Sequence, residues 1–353
     1  MIVYAVVILI ILFLRFMLAN NRVGNPDYSL ETKYLKIVCG ILVVLAGIRG
    51  SGVGADTISY IADYINDSSI SLAEVIQKHG SIGGGYFFFT KLFSMTGLSV
   101  QWWFAVVELF YVFAIYRFVQ KFSQDKLISI LCLFTMGLYS FSLAGLKQTM
   151  SMGFAILAFV ALRDKRYPLA VILGIVSFWC HTAAAIFAFG LVSYFLRNQK
   201  LYYLYLIVFF VAVILWGDLL WVNSINLLND EHYSELYADA DNIYSSWTFV
   251  FYLLLLAFMA FPWRRYSIEN SDESKILYGM TLIATAFQSL ATSFSTAFRV
   301  AYYFLPFMIV LVPNCCNYMR NYKRIWKIGL CLICIFWSLY TGRENEFTFF
   351  WND

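Results

Sequence analysis

The chain reads as an all-α, polytopic integral membrane protein of about twelve spans, and three observations predict this. It is 61% hydrophobic and 20% aromatic with only 13% charged residues over 353 positions, more apolar side chain than a soluble core encloses. Its apolar residues recur in runs suited to crossing roughly 30 Å of hydrocarbon, which takes about 20 residues of helix. Its Lys and Arg residues crowd alternate loops between those runs, as the positive-inside rule requires. A single segment in hydrocarbon satisfies its backbone only as a helix, so each run predicts one.

In chain order the runs predict spans at 1–19, 34–49, 99–118, 127–145, 147–163, 168–181, 182–197, 201–217, 246–262, 276–293, 297–313 and 327–341. The first lacks both a preceding basic residue and a small-residue cleavage site, so it is expected to remain as a span. Almost no loop separates the pairs around Lys147 and His181, which predicts helical hairpins within the outer leaflet. Nineteen of the 25 basic residues fall on alternate loops, which places those loops in the cytoplasm and both termini outside. The net charge of +4 then belongs to anchors facing anionic lipid, and no basic patch for nucleic acid exists. The location expected is a membrane, spanned many times.

One membrane-embedded domain, 1–353, is expected, with two outer loops. Loop 50–98 opens on Gly50, Gly52 and Gly54, continues as an amphipathic stretch from Asp56 to Gln77, and ends in an apolar segment, Tyr86 to Gly97, suited to the interface. It is expected to cover one side of a cleft at the membrane surface. Loop 218–245 holds six acids and no Lys or Arg, flanked by Trp216, Trp221 and Trp247 as interfacial anchors. The seven cysteines lie in apolar runs or beside cytoplasmic ends. Cys331 and Cys334 have CxxC spacing without a nearby His or Asp, a poor metal site.

Six cations oppose the charge bias on the outer face, Arg49, Lys78, Lys91, Lys147, Arg299 and Arg343, and three of them, Arg49, Lys147 and Arg299, sit where apolar helices end. The stretch Gly47-Ile-Arg-Gly-Ser-Gly-Val-Gly-Ala-Asp56-Thr-Ile-Ser-Tyr60 places an Arg beside a Gly-rich backbone whose N–H groups can turn toward one anion. Its plainer reading is a tight exit turn, with Asp56 as a helix cap and Arg49 reaching back to headgroups. Lys147 and Gln148 lie at a depth where polar groups need a cavity or partner, unless Lys147 also reaches to headgroups. Arg299 repeats the arrangement, followed by Tyr302 and Tyr303. His181 is the one His in apolar sequence, either a hydrogen-bonded core residue or a base that takes a proton from a hydroxyl. His79 and His232 lie in polar loops and need no special role. Glu108, inside the third run, serves either as partner to a polar group or as a functional acid. Asp239-Ala-Asp241 has the spacing of a divalent-ion pair, although acidic loops produce it readily. No nucleotide-binding, zinc-protease or serine-hydrolase motif stands in an exposed context.

Arg49 to Tyr60, the Lys147-Gln148 pair, Phe178-Trp-Cys-His181 and Arg299 to Pro306 occur in an order and spacing that resemble the EpsG family of Wzy-type polysaccharide polymerases over nearly the whole chain. Arg49, Asp56 and Tyr60 match its Arg, Gly-x-Asp and Tyr pattern, Gln148 matches the Gln of its Arg-Gln pair, His181 its His, and Arg299 with Tyr303 its Arg and Tyr-Phe segment. Lys147 stands in the family's Arg position and keeps the charge without the bidentate fork. Ile82-Gly-Gly-Gly-Tyr86 stands where the family often has Glu-Pro-Gly. The resemblance implies a helical bundle similar to the GT-C-like transferases that joins repeat units carried on undecaprenyl pyrophosphate at the outer leaflet. It implies a lipid-pyrophosphate-sugar glycosyltransferase with no cofactor or metal. Arg49, Lys147 and Arg299 would grip the pyrophosphate with Gln148, Tyr60 and Tyr303, His181 would accept the acceptor's proton, and Asp56 would orient a sugar or the base. Expected partners are the lipid-linked donor and acceptor, the bilayer, a chain-length regulator and a flippase. A flippase, or a glycan ligase of the same chemistry, is the competing class.

Overall fold

A computed structural model describes residues 2–20, 28–80, 83–227, 243–269, 271–294, 297–319, 323–341 and 347–352. They are almost wholly helical and form two compact units, one of residues 1–185 with 327–353 and one of residues 186–326.

The first unit begins with α1 (Ile2–Asn20) and α2 (Tyr28–Gly47). The expected amphipathic loop then folds as α3 (Thr57–Ser68), α4 (Leu72–His79) and α5 (Gly85–Ser94). A capping box starts α4: the Ser71 hydroxyl accepts from the Glu74 N–H while the Glu74 carboxylate accepts from the Ser71 N–H at 2.6 Å. The long helix α6 (Val100–Phe122) follows, then α7 (Lys126–Thr135), α8 (Leu138–Ala144), α9 (Leu146–Arg163) and α10 (Tyr167–Cys180). The run expected as one span at 127–145 is instead a pair of helices bent by 53°.

Helices α2, α6, α9 and α10 pack side by side through small residues. The Gly47 position approaches Ala105 Cβ at 3.1 Å. Ser151 and Ser177 bond reciprocally, each hydroxyl donating to the other's carbonyl at 2.8 Å. Such exchanges join helices where lipid gives no hydrophobic drive between them. The outer helices seat on this frame through Tyr64, Val75, Tyr86, Phe87, Trp103, Phe104, Leu146 and Cys180, all buried in one cluster. Burying each large apolar side chain contributes about 1.5–3 kcal/mol, so α3 to α5 form a fixed cover.

The second unit holds α11 (Ala185–Leu196) from Ile186 onward, α12 (Tyr202–Leu227), α13 (Ile243–Glu269), α14 (Ser271–Leu290), α15 (Phe298–Ala301) and α16 (Leu305–Asn317). The Phe304 ring lies 5.8 Å from that of Phe187 and 6.0 Å from that of Phe287. The run expected at 297–313 is interrupted between α15 and α16. The last helix, α17 (Lys323–Thr341), turns Ile328, Leu332 and Phe336 outward on one stripe, each more than 60% exposed, as a lipid-facing helix does.

The apolar runs lie largely in helix. Among the described residues α6, α12 and α17 are long and apolar enough to span a membrane, and the bent α7–α8 pair makes a fourth, against the twelve expected. Several other runs carry apolar helical stretches of 10–17 described residues. Among the described residues the architecture is helical, with several apolar helices, as in a membrane protein.

Candidate functional site

Arg49 follows the last turn of α2 and is only 1% exposed. Its guanidinium lies over the Phe104 ring, 4.3 Å from the centroid, and its Nε and Nη2 are buried without hydrogen-bond partners. The alternative reading, that Arg49 reaches back to headgroups, does not hold: its guanidinium is buried within the unit, and the chain's tail pairs with its backbone. Arg49 forms an isolated antiparallel bridge with Phe349. Gly50 N–H donates to Thr348 O at 2.8 Å and Phe350 N–H to Ile48 O at 3.1 Å. Glu108 is also buried, one oxygen accepting from the Ser142 hydroxyl at 3.1 Å and the other without a partner. It acts electrostatically on Arg49, yet no ion pair joins the two among the described residues. This is the polar partnership foreseen for Glu108, with an acceptor oxygen to spare.

The Gly-rich exit is close-packed. A Cβ on Gly54 would stand 2.7 Å from Ala144 Cα and from Leu143 O, and its φ of +92° favours glycine as well. Asp56 occupies the cap position of α3, but its side chain makes no capping bond. Thr57 ties the turn instead, its hydroxyl donating to Val53 O at 2.5 Å. One turn on, the Tyr60 hydroxyl accepts from the Lys147 backbone N–H at 3.4 Å, and its ring meets Tyr86 edge-on at 5.4 Å. Lys147, half-buried in the first turn of α9, holds Nζ 5.2 Å from the centre of the Phe87 ring. Tyr86 and Phe87 thus collect Tyr60 and Lys147 from distant segments, and Tyr86 also lies within electrostatic range of Arg49.

Gln148 is buried, its amide 3.8 Å from Met152 Sδ. His181 stands where α10 ends, its N–H donating to Ser177 O at 3.1 Å and its carbonyl accepting from Ala184 N–H at 3.0 Å. The turn before α5 packs on this end: a Cβ on Gly85 would fall 2.8 Å from the Trp179 ring and 3.0 Å from Cys180 N. That closeness leaves no room for a side chain at Gly85. Arg299, in α15, and the buried Tyr303 belong to the second unit. An apolar cavity of about 140 Å³ in that unit, beside Ser193 and Tyr202, holds none of the predicted residues. Asp239 and Asp241 lie outside the described residues.

Sequence reasoning missed one group. Asp67 on α3 is 1% exposed; it accepts from Lys78 Nζ through Oδ1 and from His79 Nε2 through Oδ2, both at 2.8 Å. The His79 ring stacks on Phe87 at 3.5 Å with an interplanar angle of 6°. Asp63, one turn earlier on the same helix, is within electrostatic range of His79, Asp67, Lys78 and Lys147; burial raises its carboxyl above the usual range, opposed chiefly by His79. The readable signal was Ser71-Leu-Ala-Glu74, a capping-box spacing that breaks the amphipathic stretch and folds α4 back toward α3.

No curated protein and no solved structure matches the chain. The model of the EpsG family matches residues 32–352, from within α2 through the tail that pairs with the Arg49 backbone. With the helical membrane architecture and this match over nearly its whole length, the chain belongs to the EpsG family, a polysaccharide polymerase-like family of glycosyltransferase type.

Proposed function

We propose that this protein polymerises polysaccharide at the outer face of a bacterial plasma membrane, joining repeat units carried on undecaprenyl pyrophosphate. The observation that carries the reading is the convergence of Arg49, Tyr60 and Lys147 on Tyr86, Phe87 and Phe104. A cation held among aromatic rings is desolvated and acts more strongly on a nearby anion than one in water. In the reaction, the acceptor sugar's hydroxyl oxygen bonds to the donor's anomeric carbon, and the bond from that carbon to the pyrophosphate oxygen breaks with its electron pair. Lys147 meets the growing negative charge directly. Arg49 adds positive potential from within the bundle, its Nε and Nη2 without hydrogen-bond partners among the described residues. Arg299 and Tyr303 retain their proposed part in chain growth, Gln148 fixes the α9 turn, and Asp56 orients a sugar. No metal is assigned.

Topology supports the outer-face placement. Arg15–Glu31, Lys121–Asp164 and Lys327–Asp125 are ion pairs within the face read as cytoplasmic. Lys78–Asp67 and His79–Asp67 pair within the opposite face. About twelve crossings with both termini outside fit this division. The exposed Ile58, Ile65, Ile76 and Met95 of the outer helices suit a cover resting in the interface.

The test is reconstitution of the purified protein with lipid-linked repeat units and electrophoresis of the products. A ladder of multiple repeats supports the reading. Repeat units recovered singly, or moved across the bilayer unchanged, would exclude polymerisation, and transfer of finished chains to another acceptor would make the protein a ligase.

A further inference from the structure

We propose that His79, oriented by Asp67, is the catalytic group that accepts the acceptor hydroxyl's proton. This deepens the polymerase reading and rests on it. A general base needs a free nitrogen near the reacting hydroxyl, a partner for its other nitrogen that fixes the tautomer, and a fixed ring plane. His79 has the last two in full. Its Nε2 donates to a carboxylate that is itself buried and held on its other oxygen by Lys78. Its ring lies flat on Phe87. Nδ1 has no partner among the described residues, and the side chain is 12% exposed, so one nitrogen remains for an incoming hydroxyl.

The placement fits the chemistry as well. Phe87 bears His79 at 3.5 Å and the Lys147 ammonium at 5.2 Å, so base and phosphate-binding cation stand around one ring. A transfer between sugars needs a proton acceptor for the incoming hydroxyl and a cation for the leaving diphosphate in one neighbourhood. The proton moves from the hydroxyl to Nδ1 as the new glycosidic bond forms. The imidazolium is stabilised by Asp67 and later releases its proton to water. His181 is positioned by the bonds of its main chain and borders the turn before α5. The groups that face His79 are Asp63 and Asp67 of α3, Lys78 of its own helix and Lys147 of α9. Lys91 of α5 reaches Ser68 O beside them at 3.0 Å.

The experiment measures polymerisation rate against pH with lipid-linked repeat units for the full chain and three variants. His79→Gln keeps a donor for Asp67 and His79→Phe keeps the stack on Phe87, so a merely structural role survives in at least one. Both are expected to lose about 10²- to 10⁴-fold in kcat, to change KM little, and to lose the acid limb of the profile. His181→Gln is expected to retain that limb. Wild-type rates in either His79 variant, an acid limb retained in both, or an acid limb lost only in His181→Gln would overturn the assignment and leave the polymerase reading standing. Failure of the unaltered chain to form polymer would remove both.

Discussion

Lys147→Met separates holding the fold from stabilising the reaction. The substitution deletes the ammonium and keeps an unbranched stem, and the backbone N–H that donates to Tyr60 at 3.4 Å is unchanged. The fold loses the approach of Nζ to the Phe87 ring at 5.2 Å, about 0.5–1 kcal/mol at a partly exposed site. The reaction loses a fixed donor aimed at developing phosphate charge, worth about 2.7–4 kcal/mol or 10²- to 10³-fold in kcat. The second effect is severalfold the first, so thermal unfolding in detergent should barely move while the polysaccharide ladder collapses to one unit. Lys147→Arg restores the charge and adds a bidentate fork, and should polymerise at least as well as the unaltered chain. A folded Met variant that extends chains within about threefold of the wild-type rate would refute the role of Lys147 and the reasoning by which it was assigned.

The remaining predictions concern the frame around the site. Gly85→Ala puts a methyl 2.9 Å from Trp179 backbone and should cost about 1–3 kcal/mol by overpacking, read as a lowered unfolding midpoint; an unchanged midpoint would contradict the close seating of α5 on α10. Asp63→Asn should stabilise the protein at neutral pH and not near pH 3. The Asp63 carboxyl is raised by burial, so the folded state holds its proton more firmly and stability falls as pH rises through the carboxylate range; equal midpoints for variant and parent at neutral pH would argue against that burial. Arg49→Met should destabilise by leaving Glu108 buried and uncompensated, and adding Glu108→Gln should recover part of the loss, a coupling of about 0.5–3 kcal/mol. Strict additivity of the two would show that these groups do not interact.

The positions of the helices were legible because hydrocarbon leaves a segment few other states. Where they broke was less so. The run at 127–145 reads as continuous apolar sequence, yet Gly137 adopts a left-handed φ of +69° at the start of α8 and the pair bends by 53°. Helices α12 and α13 continue past their apolar windows into polar sequence, since helical propensity does not stop where hydrophobicity does. The Tyr60–Lys147 contact joins residues 87 positions apart and came into view only through resemblance to a family pattern. Asp67 and His79 escaped notice because each looked like an ordinary loop residue. Their pairing depends on the angle between two short helices, which the Ser71 capping box sets at the α4 end.

Residues 347–352 lie across the exit of α2 and hold Phe349 against Arg49, while Phe347 meets Tyr4 of α1 edge-on at 6.1 Å. An affinity handle or fluorescent reporter joined close to this strip would therefore pull on the backbone that carries the buried Arg49. Loss of activity in such a fusion would report a displaced strip before it reported an incompetent enzyme, and handles attached elsewhere or cleaved before assay give the more informative preparation.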